Sequence, residues 1–125
     1  MRNYVYYNRN PNGDIDIDCV TRAISTAFDM PYDDVAEMLE KYGYQHYCEE
    51  LEVDCYSGML ERKFHILPQD AHGEKIGEVA IDHINDRLLI RTNGHLTCSI
   101  NGMVYDIWNC TDKIADRYWI VDLKS

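Results

Sequence analysis

Residues 87–108 read RLLIRTNGHLTCSINGMVYDIW. The dipeptide Asn-Gly occurs twice in this stretch, and each copy separates two short segments rich in aliphatic, β-branched and aromatic side chains. Asn-Gly between such segments is the strongest short-range signal for a β-hairpin. The stretch therefore predicts three antiparallel strands, at Arg87–Thr92, His95–Ile100 and Met103–Trp108.

The chain on either side of this stretch completes the fold class. Apolar residues recur at helical spacing over Cys19–Met30, after the candidate N-cap Asp18 and before Pro31. Further segments predict helices at Asp33–Tyr42, Ser57–Phe64 and Lys75–Asn85, and a final strand at Tyr118–Leu123. Helices followed by a meander of strands indicate an α+β fold, with N-terminal helices packed on a C-terminal antiparallel β-sheet. The length suits a single domain, residues 1–125.

The second Asn-Gly turn, at residues 101–102, predicts which side chains meet. If this turn has two residues, counting back along its strands places His95 opposite Trp108. Asp106 is then the diagonal cross-strand neighbour of His95, at roughly 7–8 Å between backbones, a distance that the two side chains can bridge. The register therefore predicts that Asp106 orients His95 and that Trp108 covers the pair.

A histidine held by a carboxylate can activate a nucleophile, and Cys19 is the natural partner. Cys19 stands first in the first predicted helix, where unpaired backbone amides and the helix dipole stabilise a thiolate. A nearby imidazolium lowers the thiol pKa further. Cys19, His95 and Asp106 then form a nucleophile–base–orienter triad.

Two charged residues near Cys19 bear on this prediction. Asp18 places a negative charge beside the thiol, so we expect its carboxylate to face the helix amides or solvent. Arg22 lies off the apolar stripe of the helix. We expect it to pair with Asp18 or Asp29 and not to take part in catalysis.

The charge balance limits the partners of the chain. It carries 22 acidic and 12 basic residues, and residues 1–62 hold 13 of the acidic and 5 of the basic side chains. A net charge of −10 repels phosphate backbones, so no nucleic-acid partner is expected. No apolar run approaches the ~20 residues that a membrane span needs, and no secretory signal pattern opens the sequence. These observations predict a soluble, cytoplasmic protein with no membrane partner.

The five cysteines show no spacing typical of a disulfide framework, so free thiols are expected. Cys98 and Cys110 are expected to be buried and to behave as small hydrophobes. The possible zinc ligands are His46, Cys48, Cys55 and His65. They contain no CxxC pair and lack the usual ligand spacing, so we expect no metal and no cofactor.

Three short segments resemble a known class of proteins. Residues 18–24, DCVTRAI, resemble the DC-x-x-RA-[IL] opening of small phage and prophage proteins with a papain-like cysteine peptidase fold. Residues 94–97, GHLT, and 101–108, NGMVYDIW, are similar to their GHL…NG-x-x-x-D-x-W segment. The segments occur in the same order over most of the chain, and residues 43–75 carry no motif.

This resemblance implies a role for each matched residue. Cys19 corresponds to the nucleophile, His95 to the general base and Asp106 to the orienting carboxylate. Trp108 resembles the tryptophan that shields the histidine–orienter hydrogen bond from water in papain-like folds. The resemblance therefore implies the same triad as the hairpin register and the start of the helix.

The sequence offers more than one candidate for the side-chain donor that stabilises the oxyanion. Papain-like enzymes use the backbone N–H of the nucleophile and an upstream side-chain amide, usually Gln. No Gln precedes Cys19. Asn12 is our first choice for this donor on distance along the chain, and Asn10 is the second, whereas turn formation is the alternative role of such residues. One oxyanion donor contributes ~10²–10³ to the rate of acyl transfer. The absence of an upstream Gln therefore weakens the expectation of efficient peptidase activity.

The expected function is that of a cysteine-dependent hydrolase acting on an amide bond of a protein or peptide substrate. Peptidase, deamidase and transglutaminase chemistry all pass through a thioester on the same triad and stay open. The resemblance implies a phage setting, with a host or phage protein as the substrate. The alternative is a non-catalytic, acidic binding or inhibitor protein that keeps the papain-like fold.

Overall fold

The computed structural model describes residues 1–13 and 17–123, so the expected domain, residues 1–125, includes five positions outside the described residues. The described residues form four helices, α1 (Cys19–Phe28), α2 (Tyr32–His46), α3 (Val53–Phe64) and α4 (Ile76–Asp82). They also form six strands, β1 (Tyr4–Tyr6), β2 (Gln69–Asp70), β3 (Arg87–Thr92), β4 (His95–Ile100), β5 (Met103–Asp106) and β6 (Arg117–Val121). The protein therefore has an α+β fold, as the sequence predicts.

The strands form one mixed, open sheet in the order β1-β5-β4-β3-β6-β2. β3, β4 and β5 are the antiparallel meander that the Asn-Gly turns predict, with Ile100 opposite Met103 across the second turn. The sheet extends beyond the expected C-terminal antiparallel strands and is mixed, because the N-terminal strand β1 pairs in parallel with β5. β1 precedes all four helices in the chain and reaches this edge by a long connection, as parallel pairing requires.

The last strand does not extend the meander. β6 returns to pair with β3, which places Trp119 opposite Leu89. β3 therefore lies inside the sheet, and its residues Leu88, Leu89 and Ile90 are fully buried. An unbroken apolar run of this kind is typical of a strand that is covered on both faces.

Helices cover both faces of the sheet. α1, α2 and α3 pack on one face, and α1 lies mainly against β4. α4 packs on the opposite face, against β3 and β5. None of the helices in the described ranges is long and apolar enough to cross a membrane. The packing of α1 on β4 brings together the two elements that carry the predicted nucleophile and base.

All four helices differ in length from the prediction, and α1 ends at Phe28, two residues before Met30. α2 continues through Gly43, which is a packing position, since a Cβ there would lie 2.8 Å from the carbonyl oxygen of Cys48. α2 ends before Tyr47, whose φ of 54° is left-handed. α3 begins at Val53, four residues before its predicted start, and α4 ends at Asp82, three residues before its predicted end.

One pair of cysteines contradicts the expectation of free thiols. Cys48 and Cys55 form a disulfide, with their Cα atoms 5.6 Å apart. It connects the end of α2 to the first turn of α3, whose packing brings the two residues together. Their sulfurs are bonded to each other, and His46 stacks on Tyr42, so these residues do not form the zinc site considered above. The free thiols are those of Cys19, Cys98 and Cys110.

Candidate active site

Cys19 and His95 meet where α1 begins beside the start of β4. Cys19 is the first residue of α1, and His95 is the first residue of β4. The thiol of Cys19 lies close to the imidazole of His95 and to the backbone N–H of Leu96, and both groups stabilise its thiolate form. The packing of α1 on β4 therefore places the predicted nucleophile and base side by side.

His95 is held on its other side by Asp106. The two side chains meet with His95 Nε2 2.6 Å from Asp106 Oδ2. Asp106 is the last residue of β5, and its side chain is 4% exposed. Because Nε2 faces the carboxylate, the other ring nitrogen, Nδ1, is left for Cys19. The contact between His95 and Asp106 is the one that the hairpin register predicts.

Trp108 covers His95 only in part. The centroids of the two rings lie 4.9 Å apart, and the ring planes are tilted by 54°. Trp108 therefore lies beside His95, as expected, but at 38% exposure it is not fully buried. The reason is that β5 ends at Asp106, two residues before its predicted end, which leaves Trp108 outside the strand.

The electrostatics of the site favour a thiolate–imidazolium pair. Burial alone would raise the pKa of Cys19, but the hydrogen bond and charge of His95 and the N–H of Leu96 lower it below its ordinary value. Burial would lower the pKa of His95, but its hydrogen bonds to Asp106 and to two thiols raise it to about 11. Cys19 and His95 therefore stabilise each other's charged forms.

Asp106 stays ionised behind His95. Burial would raise the pKa of its carboxyl, but the hydrogen bond and charge of His95 and the backbone N–H of Ile107 lower it. The nitrogen of Ile107 lies 2.7 Å from Asp106 Oδ1. Arg22 adds a positive charge near the same oxygen, with its Nη2 at 3.8 Å. A carboxylate held in this way fixes the imidazole with Nε2 as the donor.

Arg22 connects the start of α1 to the end of β5. It is buried and pairs with Asp18, as expected, and also with Asp106, which the sequence analysis did not anticipate. Asp18 accepts further hydrogen bonds from Asn10 Nδ2 at 3.1 Å and from the Tyr32 hydroxyl at 2.6 Å. The expectation that Asp18 faces the helix amides or solvent is therefore wrong. Its charge is neutralised by Arg22, so it opposes a thiolate at the next residue less than its position in the sequence suggests.

Cys110 also belongs to the site. Its buried thiol donates to Asp106 Oδ2 at 3.6 Å and contacts His95. Burial was expected for Cys110, but nothing in its sequence position connects it to the triad. In the described part of the chain, the donor atoms of His95, Asp106 and Cys110 lie within 4.8 Å of one another, close enough to ligate a metal ion. The same atoms already bond to one another, so we interpret the cluster as a hydrogen-bonded support for Asp106.

Of the two asparagines predicted to stabilise the oxyanion, Asn10 has another role and Asn12 points to no described part of the site. Asn10 is buried, its Nδ2 donates to Asp18, and its Oδ1 accepts the backbone N–H of Asn12 at 2.9 Å. Asn12 itself is exposed. Among the described contacts, neither side-chain amide reaches Cys19. The polar side chains of this segment form turns and hold Asp18, which is the alternative role considered for them.

A cleft of about 230 Å³ lies beside Cys19 and His95. Its lining residues are Cys19, Val20, Leu51, Glu52, Val53, Tyr56, Arg91, Gly94, His95 and Leu96. Residues 51–53 come from the segment closed by the disulfide, and Gly94 comes from the turn between β3 and β4. Tyr56 and Arg91 are polar residues of this cleft that the sequence analysis missed, because they lie far from Cys19 in the chain.

This arrangement suits one kind of chemistry. A thiolate, a protonated imidazole and a carboxylate beside an open cleft can attack an electrophilic carbon and protonate its leaving group. Comparison of the chain with protein-family models, curated proteins and solved structures found no match.

Proposed function

We propose that the protein is a cysteine-dependent hydrolase of the papain-like class, with Cys19 as the nucleophile, His95 as the general base and acid, and Asp106 as the orienting carboxylate. The observation that carries this proposal is the chain of contacts from Cys19 through His95 to Asp106 beside a cleft. The resemblance of residues 18–24, 94–97 and 101–108 to papain-like phage proteins supports the same roles.

The reaction follows from the protonation states of the pair. The Cys19 thiolate attacks the carbonyl carbon of an amide, which forms the C–S bond and moves the π electrons onto the oxygen. When this intermediate collapses, the C–N bond breaks and His95 gives its proton to the departing amine. A thioester on Cys19 remains. His95, now neutral, takes a proton from a water molecule as the water oxygen attacks the thioester carbon. The C–S bond then breaks, which releases the acid product and restores the Cys19 thiolate and the protonated His95.

The substrate class is an amide of a protein or peptide, such as a host or phage protein. Hydrolysis of a peptide bond, hydrolysis of a side-chain amide and transfer to an amine share the thioester and differ only in the leaving group and acceptor. We place peptidase activity first, with deamidase and transglutaminase activity as variants of the same proposal.

The proposal is tested by detecting a thioester on Cys19. p-Nitrophenyl acetate is an activated ester that can acetylate a thiolate in a site built for acyl transfer. We expect acetylation of Cys19, detected by peptide mass mapping, followed by its hydrolysis and steady release of p-nitrophenolate. Cys19→Ser should abolish both, and His95→Ala should slow both. Acetylation of Cys19 no faster than that of free glutathione would contradict the proposal.

A non-catalytic binding protein is the second candidate. The observation that favours it is the row of exposed acidic side chains on α2, which are Asp33, Asp34, Glu37 and Glu40. Such a surface suits a basic protein partner. A binding protein has no need for an activated thiol, so the acetylation experiment separates the two candidates.

A further inference from the structure

Attack of Cys19 on a carbonyl group requires hydrogen-bond donors for the oxyanion that forms. The backbone N–H of Cys19 is one, because the first hydrogen bond of α1 runs from Arg22 N to Asp18 O and leaves that N–H outside the helical ladder. The amides of Asn10 and Asn12 do not contact Cys19. A second donor must therefore come from another part of the cleft.

Tyr56 lies on α3 in the same cleft. It is 2% exposed, and it lines the cleft together with Cys19 and His95. The centroid of its ring lies 5.9 Å from that of Trp119, which holds the ring in the core between α3 and the sheet. The hydroxyl is close enough to Cys19 for the charge of the sulfur to act on it. Its position is thus fixed by packing, as an oxyanion donor requires.

Arg91 leaves the Tyr56 hydroxyl free to donate. The guanidinium of Arg91 lies near the Tyr56 hydroxyl and acts on it electrostatically. An arginine has donors only, so toward Arg91 the phenolic oxygen can serve only as an acceptor. The hydroxyl hydrogen has no acceptor among the described residues. Arg91 is itself anchored by an ion pair with Asp116. The positive charge of the Arg91 guanidinium beside the phenolic oxygen makes the Tyr56 O–H a stronger donor.

We infer that the Tyr56 hydroxyl is the second oxyanion donor of the site, acting with the backbone N–H of Cys19. When the thiolate forms the C–S bond, the carbonyl π electrons move to the substrate oxygen, which accepts hydrogen bonds from these two groups. No proton leaves Tyr56 in this step. When the intermediate collapses, the oxygen returns to a carbonyl and both hydrogen bonds weaken. This role rests on the proposed acyl-transfer function.

The protonation state of Tyr56 is consistent with this role. Burial raises the pKa of Tyr56 to about 12, although the nearby arginines act in the opposite direction. The hydroxyl therefore keeps its proton at neutral pH, as a hydrogen-bond donor requires.

The experiment compares two reagents that make different demands on the site. Acetylation by p-nitrophenyl acetate passes through an oxyanion, whereas alkylation by iodoacetamide displaces iodide from a CH₂ group and forms none. Tyr56→Phe removes only the hydroxyl and keeps the ring against Trp119. We expect it to slow acetylation of Cys19 by ~10²-fold and to leave its alkylation unchanged. The ratio of the two rates isolates the hydroxyl from any effect on the thiolate.

Tyr42→Phe is the matched control. Tyr42 is also buried, and its hydroxyl accepts a hydrogen bond from Arg62 Nη1 at 2.8 Å, but it does not line the cleft. We expect this variant to keep both rates. Unchanged acetylation in Tyr56→Phe, or an equal loss of both rates, would overturn the role of Tyr56. If wild-type Cys19 reacts with neither reagent faster than glutathione does, the proposed function itself fails and the inference fails with it.

Discussion

His95 Nε2 lies 2.6 Å from Asp106 Oδ2, across a hairpin whose turn is Asn101-Gly102. The two residues are neighbours because a two-residue turn sets the register of β4 against β5. The carboxylate of Asp106 also accepts a hydrogen bond from the Cys110 thiol and lies near the guanidinium of Arg22. This contact favours the protonated form of His95 and leaves its other ring nitrogen available to Cys19.

Asp106→Asn should lower the free energy of unfolding by ~1.5–3 kcal/mol, because it removes a buried, charge-assisted hydrogen bond. The pKa of Asp106 is below its ordinary value of 3.8, so its contribution is present above pH 3.8 and lost as the pH falls through the folded pKa. The pKa of His95 is raised from 6.5 to about 11, so its contribution is complete below pH 6.5 and lost as the pH rises through the folded value.

Urea unfolding of wild type and Asp106→Asn, measured from below pH 3.8 to about pH 11, checks the prediction. The stability difference should be largest between pH 3.8 and 6.5 and should shrink on both sides. Glu37→Gln, which changes an exposed carboxylate of α2, is the control and should show little difference at any pH. A difference for Asp106→Asn that does not vary with pH would contradict the assignment of the pair.

Arg22→Gln should cost ~3–5 kcal/mol in the free energy of unfolding, because it leaves Asp18 as a buried charge without its cation and removes one of the two positive charges beside Asp106. Asp18→Asn added to this variant should restore part of the loss, since one of the two carboxylates is then neutral. Arg2→Gln, at an exposed position, should stay close to the wild type. An Arg22→Gln protein as stable as the wild type in urea would rule out this role for Arg22.

Trp108→Ala should cost less than the ~3–5 kcal/mol that truncation of a fully buried tryptophan costs, since Trp108 is 38% exposed. It should nevertheless admit water to His95 and so slow the alkylation of Cys19. Trp108→Phe keeps an aromatic ring over His95 and should retain most of the rate. If Cys19 is alkylated in Trp108→Ala at the same rate as in the wild type, the ring has no shielding effect.

The disulfide between Cys48 and Cys55 determines how many thiols can react with a thiol reagent. Without reductant, the unfolded protein should react with Ellman's reagent at three thiols per chain, and after reduction at all five. Replacing Cys48 and Cys55 together by Ser should give three under both conditions and lower the free energy of unfolding by about 2–3 kcal/mol. Five reactive thiols before reduction would show that the pair is not bonded.

Local signals were enough to predict the centre of the site. Asn101-Gly102 specifies the hairpin register, and the register determines that His95 meets Asp106. The apolar periodicity after Asp18 specifies where α1 begins, and this determines the position of Cys19. Each of these inferences depends on a few residues that are adjacent in the chain.

Contacts between distant elements could not be predicted in this way. The pairing of β1 with β5 and of β6 with β3 depends on which edges remain open after the helices have packed. Tyr56 reaches the cleft because α3 starts at Val53, within a segment that carries no motif. The bond between Cys48 and Cys55 also depends on the packing of α2 against α3, for which their spacing carries no signal.

Alkylation of Cys19 by iodoacetamide at about pH 6, followed by peptide mapping in wild type and His95→Ala, tests the central claim most directly. His95 lowers the pKa of Cys19, whereas burial raises the pKa of Cys98 to about 12. We therefore predict that Cys19 is labelled before the other thiols, and that His95→Ala slows its labelling by ~10-fold or more. Labelling of another cysteine ahead of Cys19, or an unchanged rate in His95→Ala, would contradict the account.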